Sequence, residues 1–191
     1  MSDKKKIPNG IARTLAESLR VHFLHVCEPG FLEVVGSLRR CKPMVGDIEL
    51  LFVPKVEPVK TGLFAEDVVT RNLAEQLIED MLQRNALTKR LNVSGGISSW
   101  GPLNKHSVHV ETGIPVDLFA TTKENWWVSL VIRTGSKETN LKLTTGAQKL
   151  GRTLNAYGRG ITDEYGNVIA ATSEQHVFEL CNVPYLEPHQ R

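Results

Sequence analysis

Two acidic residues, Asp47 and Glu49, stand two positions apart in the apolar run DIELLFV. In a β-strand this spacing puts both carboxylates on one face and the intervening apolar side chain on the other. Two like charges held this close are costly unless a cation neutralises them, and proteins bind Mg²⁺ through one or two carboxylates together with phosphate oxygens. The pattern therefore predicts a strand that holds a divalent cation against a phosphate.

A third acidic residue, Asp117, interrupts another apolar run, IPVDLF. With the first pair it would complete a site for two metal ions, an arrangement that stabilises both the entering and the leaving oxygen of a displacement at phosphorus. Taken alone, Asp117 also fits a strand residue that faces solvent, and an isolated pair of acids spaced two apart fits a solvated face equally well.

A short segment upstream of the acidic pair has the composition of a phosphate-binding turn. Gly36 and Ser37 follow an apolar run, and a small turn there would expose backbone N–H groups and a hydroxyl to a phosphate. Arg40 would add a charge-assisted contact to the same group. We expect Gly36 to Gly46 to form a basic loop between two strands.

Hydrophobic periodicity predicts the elements that position these residues. Apolar residues at helical spacing predict amphipathic helices over about residues 10 to 27 and 65 to 85. Apolar runs bounded by turn residues predict strands over residues 31 to 35 and 47 to 53.

The second half of the chain changes character along its length. Between residues 91 and 119, the runs LNV, SVHVE and IPVDLF predict hairpins added to the same sheet. The apolar stretch NWWVSLVI follows, and Ser136 is expected to cap a helix that begins after it. Strands and helices come in blocks without regular βαβ alternation, which indicates an α+β fold. We place a boundary near Thr122, between units of residues 1–122 and 123–191.

The segment from Gly36 to Glu49 resembles the nucleotidyltransferase signature, a GS pair followed by two acids separated by an apolar residue. The whole segment is similar to that of family X DNA polymerases, the DNA polymerase beta-like nucleotidyltransferases. These proteins carry GS-x-RR before a G-D-apolar-D strand. Their later TGS turn, helix asparagine and N-x-Y strand resemble Thr134 to Ser136, Asn140 and Asn155 to Tyr157. The similarity runs from about Ile11 to Arg191, with a loose middle between Lys55 and His109.

This resemblance implies a nucleotidyltransferase palm with a mixed sheet flanked by helices, plus a small C-terminal α/β-hairpin subdomain. It implies that Asp47, Glu49 and Asp117 are the catalytic residues and hold two Mg²⁺ ions, with Mn²⁺ as an alternative metal. The residues implied to contact the nucleotide are Gly36, Ser37, Arg40, Gly46, Ile132, Arg133, Gly135, Ser136, Lys137 and Asn140. Those implied to contact nucleic acid are Arg39, Lys142, Asn155 and Tyr157.

The chain departs from the family pattern at three places. Glu49 stands where the family usually has a second aspartate, which keeps the charge and lengthens the side chain by one methylene. Ile132 and Arg133 stand where aromatic residues commonly screen the ribose 2′-position, so we expect weaker discrimination against ribonucleotides. Pro115 replaces a basic residue two positions before the third acid, so we expect the primer to be oriented differently.

Composition sets the remaining expectations. The 191 residues carry 23 Lys and Arg against 21 Asp and Glu, a net charge of only +2, so nucleic-acid contacts must come from local clusters. The 3 cysteines show no paired zinc-ligand spacing, which fits a reducing cytosol and argues against a zinc site. No secretory or membrane-spanning segment is visible. We expect a monomer without a membrane partner in the cytoplasm, or in the host cytoplasm if the protein is phage-encoded.

Three functions stay open at this point. The first is template-directed DNA synthesis from dNTP, with NTP use left open, on primer-template or gapped DNA in repair or gap filling. The second is nucleotidyl transfer without a template to RNA, a protein or a small molecule. The third is an inactive nucleotide- or DNA-binding module. A minimal chain with only the palm and the nucleotide-binding subdomain is expected to bind DNA weakly and salt-sensitively, since phosphate contacts supply much of nucleic-acid affinity.

Overall fold

The computed structural model of the protein describes residues 6–61 and 67–191. The helices in this part of the chain are α1 (Asn9–Phe23), α2 (Gly36–Arg39), α3 (Leu73–Gln83), α4 (Trp126–Thr134), α5 (Lys137–Lys149) and α6 (Glu174–Leu180), with a short 3-10 helix at Pro188–Gln190. The strands are β1 (Ile7–Pro8), β2 (Cys27–Val34), β3 (Met44–Val45), β4 (Ile48–Pro54), β5 (Val56–Thr61), β6 (Asp67–Asn72), β7 (Leu87–Lys89), β8 (Asn104–His109), β9 (Pro115–Ala120), β10 (Thr153–Asn155), β11 (Gly160–Thr162) and β12 (Val168–Ile169).

The central sheet has five strands in the order β2-β4-β9-β8-β7. The pair β4 and β9 is parallel, whereas the other neighbours are antiparallel, so the sheet is mixed. Helices pack against it and a second helical region follows in the chain. The predicted α+β class with a mixed sheet is therefore confirmed.

Strand β4 lies inside the sheet, between β2 and β9, and it is largely apolar on both faces. Ile48, Leu50 and Leu51 are almost completely buried, as expected for a strand covered on both sides. On one side, helix α1 presents a stripe of buried residues that includes Ala16 and Phe23, whose ring packs on Phe52 with centroids 5.1 Å apart. The helix ends at Phe23, earlier than predicted, since the chain must turn there to enter β2 at Cys27.

The predicted helix over residues 65 to 85 is wrong in its first part. Residues 67 to 72 form strand β6, which pairs with β5 in an antiparallel hairpin, and α3 begins only at Leu73. The side chain of Asn72 accepts a hydrogen bond from the backbone N–H of Glu75 and so caps the helix. Val69, which lies within the predicted helix, is an exposed strand residue. Residues 65 and 66 lie outside the described residues.

Two other local expectations need correction. Gly36 to Arg39 form the short helix α2 instead of starting an irregular loop. The run at residues 91 to 93 is not a strand, because Leu91 makes only an isolated bridge with Ile97 in a tight loop.

The C-terminal region has its own buried cluster, to which α4, α5, α6 and the β10-β11-β12 sheet contribute. Val131, Leu143, Ile161 and Phe178 are fully buried in it. A further cluster joins palm-sheet residues such as Leu51 and Phe119 to Trp126 and Leu130 of α4, so the two regions pack directly against each other. The division at Thr122 stays a prediction. No helix within residues 6–61 and 67–191 is long and apolar enough to span a bilayer.

Candidate active site

Gly36 lies where β2 ends and the short helix α2 begins, at a position that favours glycine. Its φ angle is +64°, a conformation that side chains rarely adopt. A Cβ atom at this position would lie 1.5 Å from a carboxylate oxygen of Glu49. The glycine of the GS pair is therefore required by the close approach of the turn to the acidic strand.

A row of charged and titratable residues runs across the central sheet at the level of this turn. Glu49 of β4 is the register partner of Asp117 of β9, and Asp117 is in turn the partner of His106 of β8. The backbone N–H of Arg90, just after β7, donates to the carbonyl of His106 at 3.0 Å. Because directly paired strand residues share a face, strand pairing brings two of the predicted acids together.

The third predicted acid, Asp47, lies one residue before β4, and the predicted strand started one residue too early. It lies two positions before Glu49 and is half-buried. Its charge acts on both Glu49 and Asp117, so all three acids share one electrostatic site.

Burial and mutual repulsion make this acidic site unfavourable in the absence of a cation. Burial, followed by the charges of Asp47 and Asp117, raises the pKa of Glu49 to about 7, although Arg133 and Arg40 act in the opposite direction. Burial also raises the pKa of Asp117, and its neighbours Arg90 and His106 oppose that rise.

Asp117 is held by Arg90 in a two-pronged contact. The Nη1 atom of Arg90 lies 2.9 Å from Oδ1 as an ion pair, and Nη2 donates a hydrogen bond to Oδ2 at 3.2 Å. The Nε2 atom of His106 lies 3.9 Å from Oδ2, while its Nδ1 atom lies 3.0 Å from the hydroxyl of Ser98.

Among the described residues, no three acidic, histidine or cysteine side chains are gathered as closely as a bound metal ion requires. The donor set still suits Mg²⁺ or Mn²⁺. The three carboxylates are hard oxygen donors that act on one another electrostatically, and burial, followed by the neighbouring acids, raises the pKa of Glu49, while burial also raises that of Asp117. A divalent cation between Asp47, Glu49 and Asp117 would relieve that repulsion.

A cleft of about 390 Å³ opens beside this site, between α2, β4 and the start of α5. It is lined by Ser37, Arg40, Asp47, Glu49, Ile132, Arg133, Gly135, Ser136, Lys137 and Asn140. Eight of the ten residues predicted to contact a nucleotide line it, together with two of the three acids. Of the other predicted residues, Gly36 lies against Glu49, and Gly46 lines a different cleft. Asp117 lies beside Glu49 on the neighbouring strand of the sheet.

Arg40 connects the two walls of the cleft. Its guanidinium donates to the carbonyl of Thr134 at the end of α4. Gly135 follows with a φ angle of +67°, and a Cβ atom there would lie 3.1 Å from Nη1 of Arg40. The peptide bond between Gly135 and Ser136 is cis. Ser136 then caps α5 as predicted, since its hydroxyl accepts from the N–H of Thr139 at 3.4 Å.

Arg133 is stacked between two aromatic rings. Its guanidinium carbon lies 3.6 Å from the ring centroid of Phe119 and 4.3 Å from that of Tyr157. The same group donates to the side chain of Asn104 at 3.1 Å. Arg133 thus joins the sheet to the hairpin loop of the C-terminal region at the edge of the cleft.

Asn140 is anchored by its amide nitrogen, which donates to the carbonyl of Ile132 at 2.8 Å. Its side-chain oxygen is buried without a hydrogen-bond partner among the described residues, so it can accept from a ligand in the cleft. Lys137 is exposed at the rim. These two positions agree with a nucleotide-facing role, which stays a prediction.

The four predicted nucleic-acid contacts lie in different surroundings. Lys142 is exposed on α5. Asn155 accepts from the N–H of Tyr157 and shapes the hairpin turn, and Tyr157 is half-exposed against Arg133. Arg39 differs, because its guanidinium contacts Thr134 and Glu174 inside the protein. A DNA contact by Arg39 stays a prediction, and it would compete with these bonds.

The sequence analysis identified neither Arg90 nor His106 as a neighbour of the third acid. Arg90 lies in the region where the family resemblance is loose, 27 positions before Asp117. No local spacing could have revealed the contact, because it depends on the order β9-β8-β7 in the sheet.

Comparison with known proteins agrees with this geometry. Residues 129–191 match the family described as DNA polymerase beta thumb. Among solved structures, the chain is similar to polymerase beta of Leishmania infantum in a ternary P/T complex, with a TM-score of 0.72 and 20% sequence identity, over 98% of this chain and 77% of that chain. The ternary gap complex of that polymerase has the same TM-score and identity, over 98% of this chain and 71% of that chain.

The mixed sheet and the C-terminal region together define a polymerase beta-type fold. The thumb match at residues 129–191 and the shared fold support the resemblance to family X polymerases that the segment from Gly36 to Glu49 predicted.

Proposed function

We propose that the chain is a nucleotidyltransferase that adds nucleotides to the 3′-hydroxyl of DNA, directed by a template, in gap filling or repair. One observation carries the proposal. A single cleft brings together the glycine-serine turn, two acids and the start of α5, so a triphosphate and its reacting phosphorus would lie beside the carboxylates.

The phosphate side of the cleft is formed by the Ser37 hydroxyl and the guanidinium of Arg40. The first turn of α5 adds the positive end of the helix dipole, which favours an anion. Lys137 at the rim adds an exposed positive charge. These groups would hold the two outer phosphates, which leave as pyrophosphate.

The acidic side of the cleft contains Asp47 and Glu49, whereas Asp117 lies beyond it along the sheet. We assign the first two acids to the nucleotide and Asp117 to the acceptor hydroxyl. When bound, divalent cations at these carboxylates would stabilise the entering and the leaving oxygen of the in-line displacement. The new bond joins the 3′-oxygen to the α-phosphorus, and the bond from that phosphorus to the pyrophosphate oxygen breaks.

The base and the sugar would lie towards Asn140, Ile132 and Arg133. The free oxygen of Asn140 accepts a hydrogen bond from the nucleotide. With no aromatic residue at positions 132 and 133, we propose that NTP is used alongside dNTP.

The proposed nucleic-acid partner is primer-template or gapped DNA. The similar polymerase beta structures are ternary P/T and gap complexes of that protein. In this chain, exposed Lys142 and the turn at Asn155 and Tyr157 present groups suited to a nucleic-acid backbone. The net charge of +2 predicts weak binding that falls steeply with salt.

The test is extension of a labelled primer on gapped and recessed duplexes, with Mg²⁺ or Mn²⁺ and each dNTP or NTP. We expect the wild-type chain to add the nucleotide complementary to the template. Asp47→Ala and Asp117→Ala should each lower the rate by about 100-fold or more, since each removes a charged group from the reacting site. Asp80→Ala is the matched control, because this acid is exposed on α3 and does not line the cleft.

Circular dichroism would show that the variants are folded. Extension that does not depend on the template would favour transfer to another acceptor. A folded wild-type chain that binds nucleotide but extends no primer would favour the inactive binding module.

A further inference from the structure

Among the described residues, Arg90 is the one arginine with an ion pair to Asp117. It lies just after β7, whereas Asp117 lies on β9. The guanidinium crosses the position of His106 on β8 and meets both carboxylate oxygens of Asp117 on β9. The side chain of Asp117 is 8% exposed and that of Arg90 is 20% exposed. The contact is therefore largely removed from water, and its arm from Nη2 to Oδ2 is a charge-assisted hydrogen bond, which is directional.

The backbone of Arg90 is fixed on both sides. Its N–H donates to His106 at 3.0 Å, and its carbonyl accepts from the N–H of Ser98 at 2.8 Å. These two hydrogen bonds hold the backbone of Arg90 in place at the edge of the sheet. A guanidinium held in this way restricts both the position and the rotation of the carboxylate that it contacts.

Arg90 also borders a cleft distinct from the nucleotide cleft. This space of about 510 Å³ is lined in part by Arg90, Gly46 and Pro115. Gly46 precedes Asp47, and Pro115 precedes Asp117 by two positions on the same face of β9. The second cleft is therefore lined by near neighbours of Asp47 and Asp117 in the chain, whereas Ser37 and Arg40 line the nucleotide cleft alone.

We propose that Arg90 is a positioning residue that orients the carboxylate of Asp117 towards the acceptor. This inference rests on the proposed function. Position 115, in the strand of Asp117, is a proline and supplies no charge there, so the orienting cation comes from the neighbouring strand. Because Arg90 does not line the nucleotide cleft, it acts on the reaction step and not on nucleotide binding.

A purely electrostatic role makes a different prediction from a positioning role. Removal of a positive charge beside three carboxylates strengthens their attraction for a cation. Loss of orientation weakens metal binding, because a partner that orients a ligand typically contributes about 10- to 100-fold to metal affinity or activity. The sign of the change in Mn²⁺ affinity therefore separates the two roles, without any measurement of activity.

The experiment compares the wild-type chain with Arg90→Ala, Arg90→Lys and Arg84→Ala. Arg84 is an exposed arginine at the end of α3 and serves as the control. Mn²⁺ binding to the chain without nucleotide is measured from the electron paramagnetic resonance signal of free Mn²⁺. Single-nucleotide insertion gives kcat and KM for the nucleotide, and thermal melting reports on folding.

We expect Arg90→Ala to lower kcat about 10- to 100-fold, to weaken Mn²⁺ binding, and to leave KM for the nucleotide within about twofold. Arg90→Lys should recover only part of kcat, because lysine keeps the charge and loses the two-pronged contact. Arg84→Ala should match the wild type.

Three outcomes would overturn the inference: unchanged kcat in Arg90→Ala, stronger Mn²⁺ binding in that variant, or full recovery in Arg90→Lys. If Arg90→Ala does not fold, the lysine variant alone decides, since full activity in it shows that charge is sufficient. Failure of the proposed function has a different signature, because the wild-type chain itself would not extend a primer.

Discussion

Glu49 is the residue at which the cost of the acidic site is concentrated. It lies against Gly36 on one side and beside Asp117 on the other, in a place where burial already disfavours its charge. A carboxylate in this position is retained at a cost to stability, as expected where a site is built for a cation instead of for folding.

The stability of the metal-free chain should depend on pH through Glu49. Its pKa in the folded chain is about 7, above that of an unfolded glutamate. The folded state therefore binds the proton more tightly, and this stabilising contribution is complete at about pH 4 and lost as the pH rises through 7. We expect the free energy of unfolding, measured by melting in EDTA, to fall from pH 5 to pH 8. The decrease should be a few kcal/mol at most, since each unit of pKa difference corresponds to about 1.4 kcal/mol.

The control is Glu49→Gln, which keeps the shape and cannot ionise. It should flatten the pH profile and be more stable than the wild type at pH 8. An unchanged profile in that variant would assign the dependence to another group.

At the scale of elements, α5 is both the wall of the nucleotide cleft and a packing partner of α6. Gly146 is the point of closest approach, because a Cβ atom there would lie 2.1 Å from the backbone oxygen of Cys181 and 3.0 Å from Val183. The glycine lets α5 approach the end of α6, which in turn sets where Ser136 and Asn140 lie.

Gly146→Ala should therefore destabilise the chain by about 1–3 kcal/mol, although alanine normally improves a helix by about 1 kcal/mol. The measurement is urea unfolding followed by circular dichroism. Gly10→Ala in α1 is the matched control, because nothing lies within 4 Å of a Cβ atom at that position. Gly10→Ala should be neutral or stabilising, and a stable Gly146→Ala would show that the helices can separate at no cost.

At the scale of the whole molecule, a buried ion network joins helix α2 to α6 and to Arg191. Glu174 at the start of α6 contacts Arg39 of α2 and Arg191, whose side chain has no exposed surface. Arg191 also lies over the rings of Phe178 and Tyr185. Burial acts to raise the pKa of Glu174, but the two guanidinium groups outweigh it and hold the pKa below its ordinary value.

Glu174→Ala leaves two arginines unpaired in a largely buried place, and breaking such a network costs about 3–5 kcal/mol. We expect that loss at neutral pH, measured by urea unfolding. The difference from the wild type should shrink as acid protonates Glu174, since a depressed pKa gives stability that is lost as the pH falls. Lys123→Ala breaks an exposed ion pair with Glu28 and should cost less than about 1 kcal/mol. Equal losses in both variants would contradict a structural role for the network.

Several features were predictable from the sequence because each depends on residues close together in the chain. The spacing of Asp47 and Glu49, the glycine-serine turn and the Ser136 cap each follow from strand alternation, turn chemistry or capping. The periodicity of α1 and the apolar run of β4 predicted those elements to within a few residues. The boundaries failed at residues 67 to 72, where helical spacing coincided with a hairpin of β-branched residues.

The sequence by itself determined the spacing of the acids, the glycine-serine turn and the α+β class, since short-range patterns specify them, and the family resemblance indicated most residues that line the cleft beside Asp47 and Glu49. Only the tertiary structure decided that Arg90 meets Asp117, that Arg39 turns inward to Glu174, and that Arg133 stacks between Phe119 and Tyr157. These contacts depend on strand order, register and helix packing between distant segments. A single sequence does not encode such pairings as a local pattern, because many alternative registers bury the same apolar residues.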